Sequence, residues 1–161
     1  MASNSFSRVG FVLTLAMGLA AIPAADASQK NIPPPNALWQ EECGSCHLAY
    51  PPRFLSAPSW QRVMAGLDDH FKTDASLEPA VAQEITAWLV ANARRPKPGK
   101  TEPAPPPLRI TETRWFRAEH DEISAARFRG PAIGSAANCA ACHTTADKGN
   151  FSERNIRIPP K

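Results

Sequence analysis

All four cysteines of the 161-residue chain lie in two copies of one short motif, C-x-x-C-H. The copy at 43–47 reads CGSCH and the copy at 139–143 reads CAACH. This pattern is typical of c-type haem attachment, in which the two thiols add across the porphyrin vinyl groups and the histidine binds the iron from one side. The sequence therefore predicts two haem c groups. Their attachment residues are Cys43, Cys46 and His47 for the first haem, and Cys139, Cys142 and His143 for the second.

Other uses of paired cysteines explain the motif less well. A structural zinc site has closely spaced ligands, whereas residues 47–138 separate the two cysteine pairs. A thioredoxin-like dithiol would require a βαβ pattern, which is absent. Two disulfides are compatible with a secreted chain but leave the repeated histidine unexplained. A zinc or disulfide protein would also be colourless.

The second axial ligand of each iron has few candidates. The chain has four histidines, so only His70 and His120 lie outside the motifs, and Met64 is the single methionine after residue 17. Because the porphyrin supplies four of the six iron ligands, each motif leaves one axial position to fill. We expect His70 to complete the iron of His47 and His120 to complete the iron of His143. A crossed arrangement stays open.

Helical signals recur along the chain, and strand signals are nearly absent. The first predicted helix begins near Ser56, and its apolar stripe continues to His70. The second begins near Ser76, and the third covers 112–124 with His120 on its apolar face. The prediction is a mostly α protein with little or no sheet, in which helices present the ligand histidines and haem fills a thin core.

The N-terminus has the pattern of a secretory signal. Arg8 provides the positive charge, residues 9–22 are uncharged and mostly apolar, and Ala25 and Ala27 form a small-x-small cleavage site. An uncleaved membrane anchor is the alternative, but the apolar stretch is shorter than the roughly 20 residues that span a bilayer. We expect residues 1–27 to be removed and the mature protein to be periplasmic.

A proline-rich segment divides the remaining chain. Residues 94–107 favour extended backbone and exclude a helix interior. We therefore predict a first haem lobe at 28–95, a connection at 96–107 and a second haem lobe at 108–161. The alternative is a proline-rich loop that lies over a single body.

The net charge of the chain and the expected coordination of the irons exclude some classes of function. With 18 Lys and Arg against 15 Asp and Glu, and no long basic run, the chain lacks the clustered positive charge that nucleic acid binding requires. Six-coordinate bis-histidine irons have no vacant position, which favours electron transfer by a monomeric carrier over catalysis. They also lack the methionine that raises the potential of ordinary cytochromes c, so low potentials are expected. The alternative is a dihaem enzyme or gas sensor with one five-coordinate, peroxidase-like haem.

The segments around these residues resemble the small dihaem cytochrome c family, periplasmic carriers related to the electron donor of the sphaeroides haem protein. The resemblance lies in CGSCHLAYPP, WQRVMAGLDDHF, ITAWL, RITETRWFRAEHDEI and NCAACHTTADKGNF. It implies two lobes with bis-histidine haems, an oxygen-binding monohaem cytochrome c as electron acceptor and a membrane cytochrome b as donor. The implied axial ligands are His47, His70, His120 and His143. Lys72 stands where the family is expected to have glycine.

Overall fold

The computed structural model describes residues 36–99 and 101–160, so the predicted signal peptide at 1–27 lies outside the described residues. Within them, isolated β-bridges occur but no strand, which confirms the predicted mostly α fold. No helix in this part of the chain is long and apolar enough to cross a membrane. The α-helices are α1 (Ala37–Gly44), α2 (Ala57–Ala65), α3 (Pro79–Ala91), α4 (Arg114–Glu119) and α5 (Ala125–Arg129).

The main hydrophobic core lies where α1, α2 and α3 meet. Helix α3 contributes Ile85 and Leu89, one helical turn apart and both 0% exposed. The Trp60 indole of α2 lies in the same core, and its nitrogen donates a hydrogen bond of 2.6 Å to the Pro52 carbonyl. The remaining buried members are Trp39 and Leu55. This core fixes the three helices around the first C-x-x-C-H motif.

Helix α2 does not reach His70, contrary to the prediction. It ends at Ala65, because Gly66 follows and its N–H bonds to the Val63 carbonyl at 3.2 Å, in a tighter turn than the α-helix. A 3₁₀ turn over Leu67–Asp69 then leads to His70, which lies in a loop. The histidine is therefore positioned by a turn and not by a helix face.

The predicted helix over 112–124 is also wrong in extent. Helix α4 ends at Glu119, and α5 begins only after Ser124, whose side chain accepts a hydrogen bond from the Arg127 N–H. The His120 ring nitrogen Nδ1 lies 2.9 Å from the Phe116 carbonyl. In a continuing helix that carbonyl would bond the backbone N–H of residue 120, so the side chain takes the place of the backbone and ends the helix.

Two other helices differ from the sequence prediction. Helix α1 was not predicted; Asn36 caps it by accepting a hydrogen bond of 2.9 Å from the Trp39 N–H. Helix α3 begins at Pro79, later than the predicted start near Ser76, since proline suits the first helical position.

The turn after His70 carries unusual backbone angles. Phe71 and Lys72 have φ of 53° and 78°, in the left-handed region that disfavours a Cβ by about 1 kcal/mol or more per residue. A glycine at position 72, which the family resemblance leads us to expect, would adopt this φ without that cost. Backbone bonds from Thr73 to His70 and from Ala75 to Leu67 nevertheless close the turn.

Segments before and after the proline-rich connection contact one another directly. The Trp115 indole donates to the Phe54 carbonyl at 3.0 Å, and the rings of Phe54 and Phe151 lie 4.8 Å apart. The Tyr50 hydroxyl donates to the Ala137 carbonyl at 2.9 Å. The division into two lobes stays a prediction, and these contacts join the two predicted halves.

Candidate haem centres

The four histidines form two close pairs. The ring centroids of His47 and His70 are 6.1 Å apart, and those of His120 and His143 are also 6.1 Å apart. Two imidazoles that bind one metal ion from opposite sides, with metal–nitrogen bonds of about 2 Å, have centroids roughly 6 Å apart. Each pair therefore has the spacing that one iron between its rings requires. The structure brings together the same pairs that lobe membership predicted.

Each pair lies beside the cysteines of its own motif. Cys43 is in the last turn of α1, and Cys46 and His47 follow directly after the helix. In the second motif, a 3₁₀ turn over Cys139–Ala141 brings the His143 N–H to 2.8 Å from the Cys139 carbonyl. No disulfide joins any of the four cysteines. The geometry leaves both thiol pairs available for thioether bonds, which stay a prediction for these residues.

Burial changes the pKa of the first thiol in each motif. Burial raises the pKa of Cys43 to about 11, and the neighbouring Glu42 carboxylate acts in the same direction. Burial likewise raises the pKa of Cys139 to about 11. Before haem attachment, burial therefore favours the thiol over the thiolate at both residues.

Backbone carbonyls orient one ring of each histidine pair. Nδ1 of His47 lies 2.8 Å from the Leu48 carbonyl, and Nδ1 of His120 lies 2.9 Å from the Phe116 carbonyl. Because a carbonyl only accepts hydrogen bonds, Nδ1 carries the proton and Nε2 keeps the lone pair that a metal needs. This donor set fits an iron ligated through Nε2.

The other ring of each pair, that of His70 or His143, is partly buried. Burial lowers the pKa of His70, and the positive charges of His47 and Arg109 lower it further. Burial lowers the pKa of His143 as well, with a smaller contribution from His120. Nδ1 of His143 is buried without a hydrogen-bond partner among the described residues. Both imidazoles are thus favoured in the neutral form that binds metal ions.

Aromatic rings surround both pairs. The Tyr50 ring stacks on His47 with centroids 5.1 Å apart, and the Phe71 ring lies 4.8 Å from His70. In the second pair, Phe116 stacks on His120 at 4.1 Å, and Phe151 lies 5.3 Å from the His143 ring. Such apolar surroundings suit the flat, largely apolar face of a porphyrin.

A site for a bare metal ion is not found in the described part of the chain, where no three His, Cys, Asp or Glu residues form a ligand group. A haem iron needs only two ligands from the protein. The family model described as dihaem cytochrome c matches residues 39–151. The chain belongs to the dihaem cytochrome c family. Its cofactors are two haem c groups, and it is an electron-transfer haem protein.

Solved structures of dihaem cytochromes are similar to this chain. A diheme cytochrome c from Shewanella baltica is 39% identical, with a TM-score of 0.66, and the match covers 78% of this chain and 94% of that one. The DHC purified from Rhodobacter sphaeroides is 43% identical, with a TM-score of 0.61, over 72% of this chain and 96% of that one. No curated protein sequence matches the chain.

Tyr50 is a residue of this site that the sequence analysis did not single out. Its ring stacks on His47 while its hydroxyl donates to the Ala137 carbonyl, two residues before Cys139. It therefore connects the two haem centres directly. Only two features of the sequence pointed to Tyr50: it is the single tyrosine of the chain, and it lies three residues after the first motif.

We expect Tyr50→Phe to lower the free energy of unfolding by about 1 kcal/mol, because it removes one hydrogen bond and keeps the ring. Haem content should be unchanged. Chemical denaturation of the haem-loaded protein, followed by far-UV circular dichroism, measures the difference. Tyr50→Ala, which also removes the ring from His47, is expected to cost more. Equal stability of Tyr50→Phe and the parent protein would show that the hydroxyl contact contributes nothing.

Proposed function

We propose that this cytochrome is a periplasmic electron carrier in which both haems have bis-histidine ligation. His47 and His70 ligate the first iron, and His120 and His143 ligate the second. The observation that carries the proposal is the repeated 6.1 Å separation of two histidine rings beside a C-x-x-C-H motif. When bound, each haem supplies an iron that takes up and releases one electron.

The proposed ligands would bind each iron and leave no coordination position for a substrate. Two histidines would hold each iron, which would leave neither iron a vacant position for oxygen, peroxide or another small ligand. The competing function, a dihaem enzyme or gas sensor, requires one iron with a free axial side. The presence of a second imidazole at both centres favours the carrier.

Low potentials are part of the proposal. Met64, the single methionine of the described residues, packs against the core formed by α2 and α3, and both centres have a second histidine instead. The carbonyl contacts at Nδ1 of His47 and His120 increase the basicity of those imidazoles. A more basic ligand stabilises the ferric state over the ferrous state, which lowers the reduction potential.

The proposed partners are other redox proteins. An oxygen-binding monohaem cytochrome c is the proposed acceptor and a membrane cytochrome b the proposed donor, in line with the family resemblance. Complexes of this kind are transient and have interfaces below about 1,200 Å². The signal pattern at 1–27 supports the periplasmic location.

Potentiometric titration of the haem-loaded protein tests this function. Visible absorbance should follow two one-electron steps, both at lower potential than a cytochrome c with histidine and methionine ligands titrated in the same cell. A step at the potential of that control would contradict bis-histidine ligation at one centre. Rapid mixing of the reduced protein with an oxidised oxygen-binding monohaem cytochrome c then tests the acceptor, and absence of electron transfer would exclude it.

A further inference from the structure

The guanidinium group of Arg53 is partly buried and has no anionic partner among the residues that the structure describes. Arg53 belongs to the 3₁₀ turn Pro52–Phe54, and its Nη1 atom is buried without a hydrogen-bond partner. The ion pairs found among the described residues join Lys72 to Asp69 and Arg109 to Glu112, and neither includes Arg53. Burial also lowers the pKa of Arg53. An arginine stays charged in proteins, so this position buries an uncompensated positive charge.

Aromatic rings compensate this charge only in part. The guanidinium carbon lies 5.3 Å from the Phe54 ring centroid and 5.9 Å from the Phe151 ring centroid. Cation–π contacts of this kind are weaker than a hydrogen-bonded ion pair with a carboxylate. A buried charge is normally paired, and removing one partner of such a pair is strongly destabilising. Nη1 of Arg53 is thus available to an anion.

The contacts of Arg53 show which of the two histidine pairs it lies near. The Phe151 ring contacts both the guanidinium of Arg53 and the ring of His143, from which it lies 5.3 Å. No comparable contact joins Arg53 to His47 or His70 among the described residues. Arg53 therefore faces the second histidine pair, although it lies in the chain only six residues after His47.

We propose that Arg53 binds a propionate carboxylate of the haem at the second centre. The inference rests on the proposed ligation of that haem by His120 and His143. A haem carries two propionates, and the fork of an arginine side chain matches the two oxygens of a carboxylate. A residue before the proline-rich connection thereby holds a group attached after it. Its positive charge stabilises the ferrous state of the second haem, and so raises that haem's potential.

Arg53→Gln tests this binding site, with Arg62→Gln as the matched control. Both changes remove one positive charge, but the Arg62 guanidinium bonds to the Pro106 carbonyl at 2.6 Å and lies at neither histidine pair. The measurement is potentiometry of both haems in buffer free of chloride and phosphate. The second haem's couple is the one missing from a Cys139→Ala/Cys142→Ala variant.

We expect Arg53→Gln to lower the potential of the second haem by about 59 mV, a tenfold change in the equilibrium constant of a one-electron couple. The potential of the first haem should change by less than half of this value. Arg62→Gln should leave the potentials of both haems close to the parent values. Arg53→Lys keeps the charge and should retain most of the parent potential. A shift in Arg53→Gln no larger than that in Arg62→Gln would overturn the proposal.

Two further arms separate the possible outcomes. If the potential of the parent protein changes on addition of chloride or phosphate and that of Arg53→Gln does not, the anion at Arg53 is a free one and the propionate assignment is wrong. If Arg53→Gln fails to fold, Arg53→Lys decides: a second-haem potential close to the parent value supports the site, and a potential lowered by about 59 mV although the positive charge is kept contradicts it. Failure of the proposed function would instead appear in the parent protein, as a couple at the potential of the histidine–methionine control.

Discussion

Replacing Cys139 and Cys142 by alanine is expected to halve the covalently bound haem, from two groups per chain to one. In the predicted attachment, the thiols of each motif bind one haem, so loss of one pair removes one set of thioether bonds. The first motif keeps its position, because α1 is fixed by the core that it forms with α2 and α3. Intact mass after denaturation and the haem-to-protein absorbance ratio both measure the result.

The reciprocal variant is the control. Cys43→Ala with Cys46→Ala should also leave one covalent haem, held by the second motif, and Ser45→Ala inside the first motif should leave two. If the Cys139→Ala/Cys142→Ala variant still carried two covalent haems, the assignment of this motif would be wrong. A folded variant without any covalent haem would show that the first attachment depends on the second.

Replacing His70 or His120 by alanine is expected to open one iron to carbon monoxide. Each histidine faces the histidine of a C-x-x-C-H motif at 6.1 Å, so its removal leaves one axial side without a protein ligand. Each reduced single variant should bind one carbon monoxide per chain, and the double variant should bind two. Titration of the Soret band of the reduced protein with carbon monoxide gives these stoichiometries.

Added imidazole provides the control for the histidine variants. It should occupy the opened position, compete with carbon monoxide and restore the visible spectrum of the parent protein. A far-UV circular dichroism spectrum equal to that of the parent protein excludes misfolding of the variant. If His70→Ala bound no carbon monoxide, His70 would not be an iron ligand and the first centre would have another one. Binding of two molecules by either single variant would indicate that loss of one axial histidine also releases the other.

The attachment sites could be predicted from the sequence because their chemistry is local. Each motif fixes two thiols and an imidazole within five residues, so no knowledge of the fold is required. His70 and His120 followed from counting the remaining histidines, and the structure places each opposite the expected partner ring. The periodic apolar residues of α2 and α3 likewise identified both helices.

The helix ends could not be predicted, because they depend on contacts that periodicity does not record. The apolar spacing continues through His70 and His120, yet Gly66 ends α2 and the His120 ring takes the Phe116 carbonyl that α4 would need to continue. The histidines are held by loops that follow the helices. Helix α1 was missed although Asn36, a good N-cap residue, precedes it.

Tyr50 and Arg53 were missed for a different reason. Their contacts with Ala137 and Phe151 join parts of the chain that are far apart in sequence, and a local pattern contains no information on such pairs. Both residues lie shortly after the first motif and contact the surroundings of the second. The connection between the centres is therefore a property of the folded chain.

The visible spectrum of the reduced protein, with and without carbon monoxide, tests bis-histidine ligation most directly. Carbon monoxide binds only an iron with an open or weakly held axial position. We predict a c-type spectrum from two haems that carbon monoxide leaves unchanged, because the proposed ligation gives each iron two histidines. A shift of part of the Soret band would contradict this ligation, and would indicate an enzyme or gas sensor with one open haem.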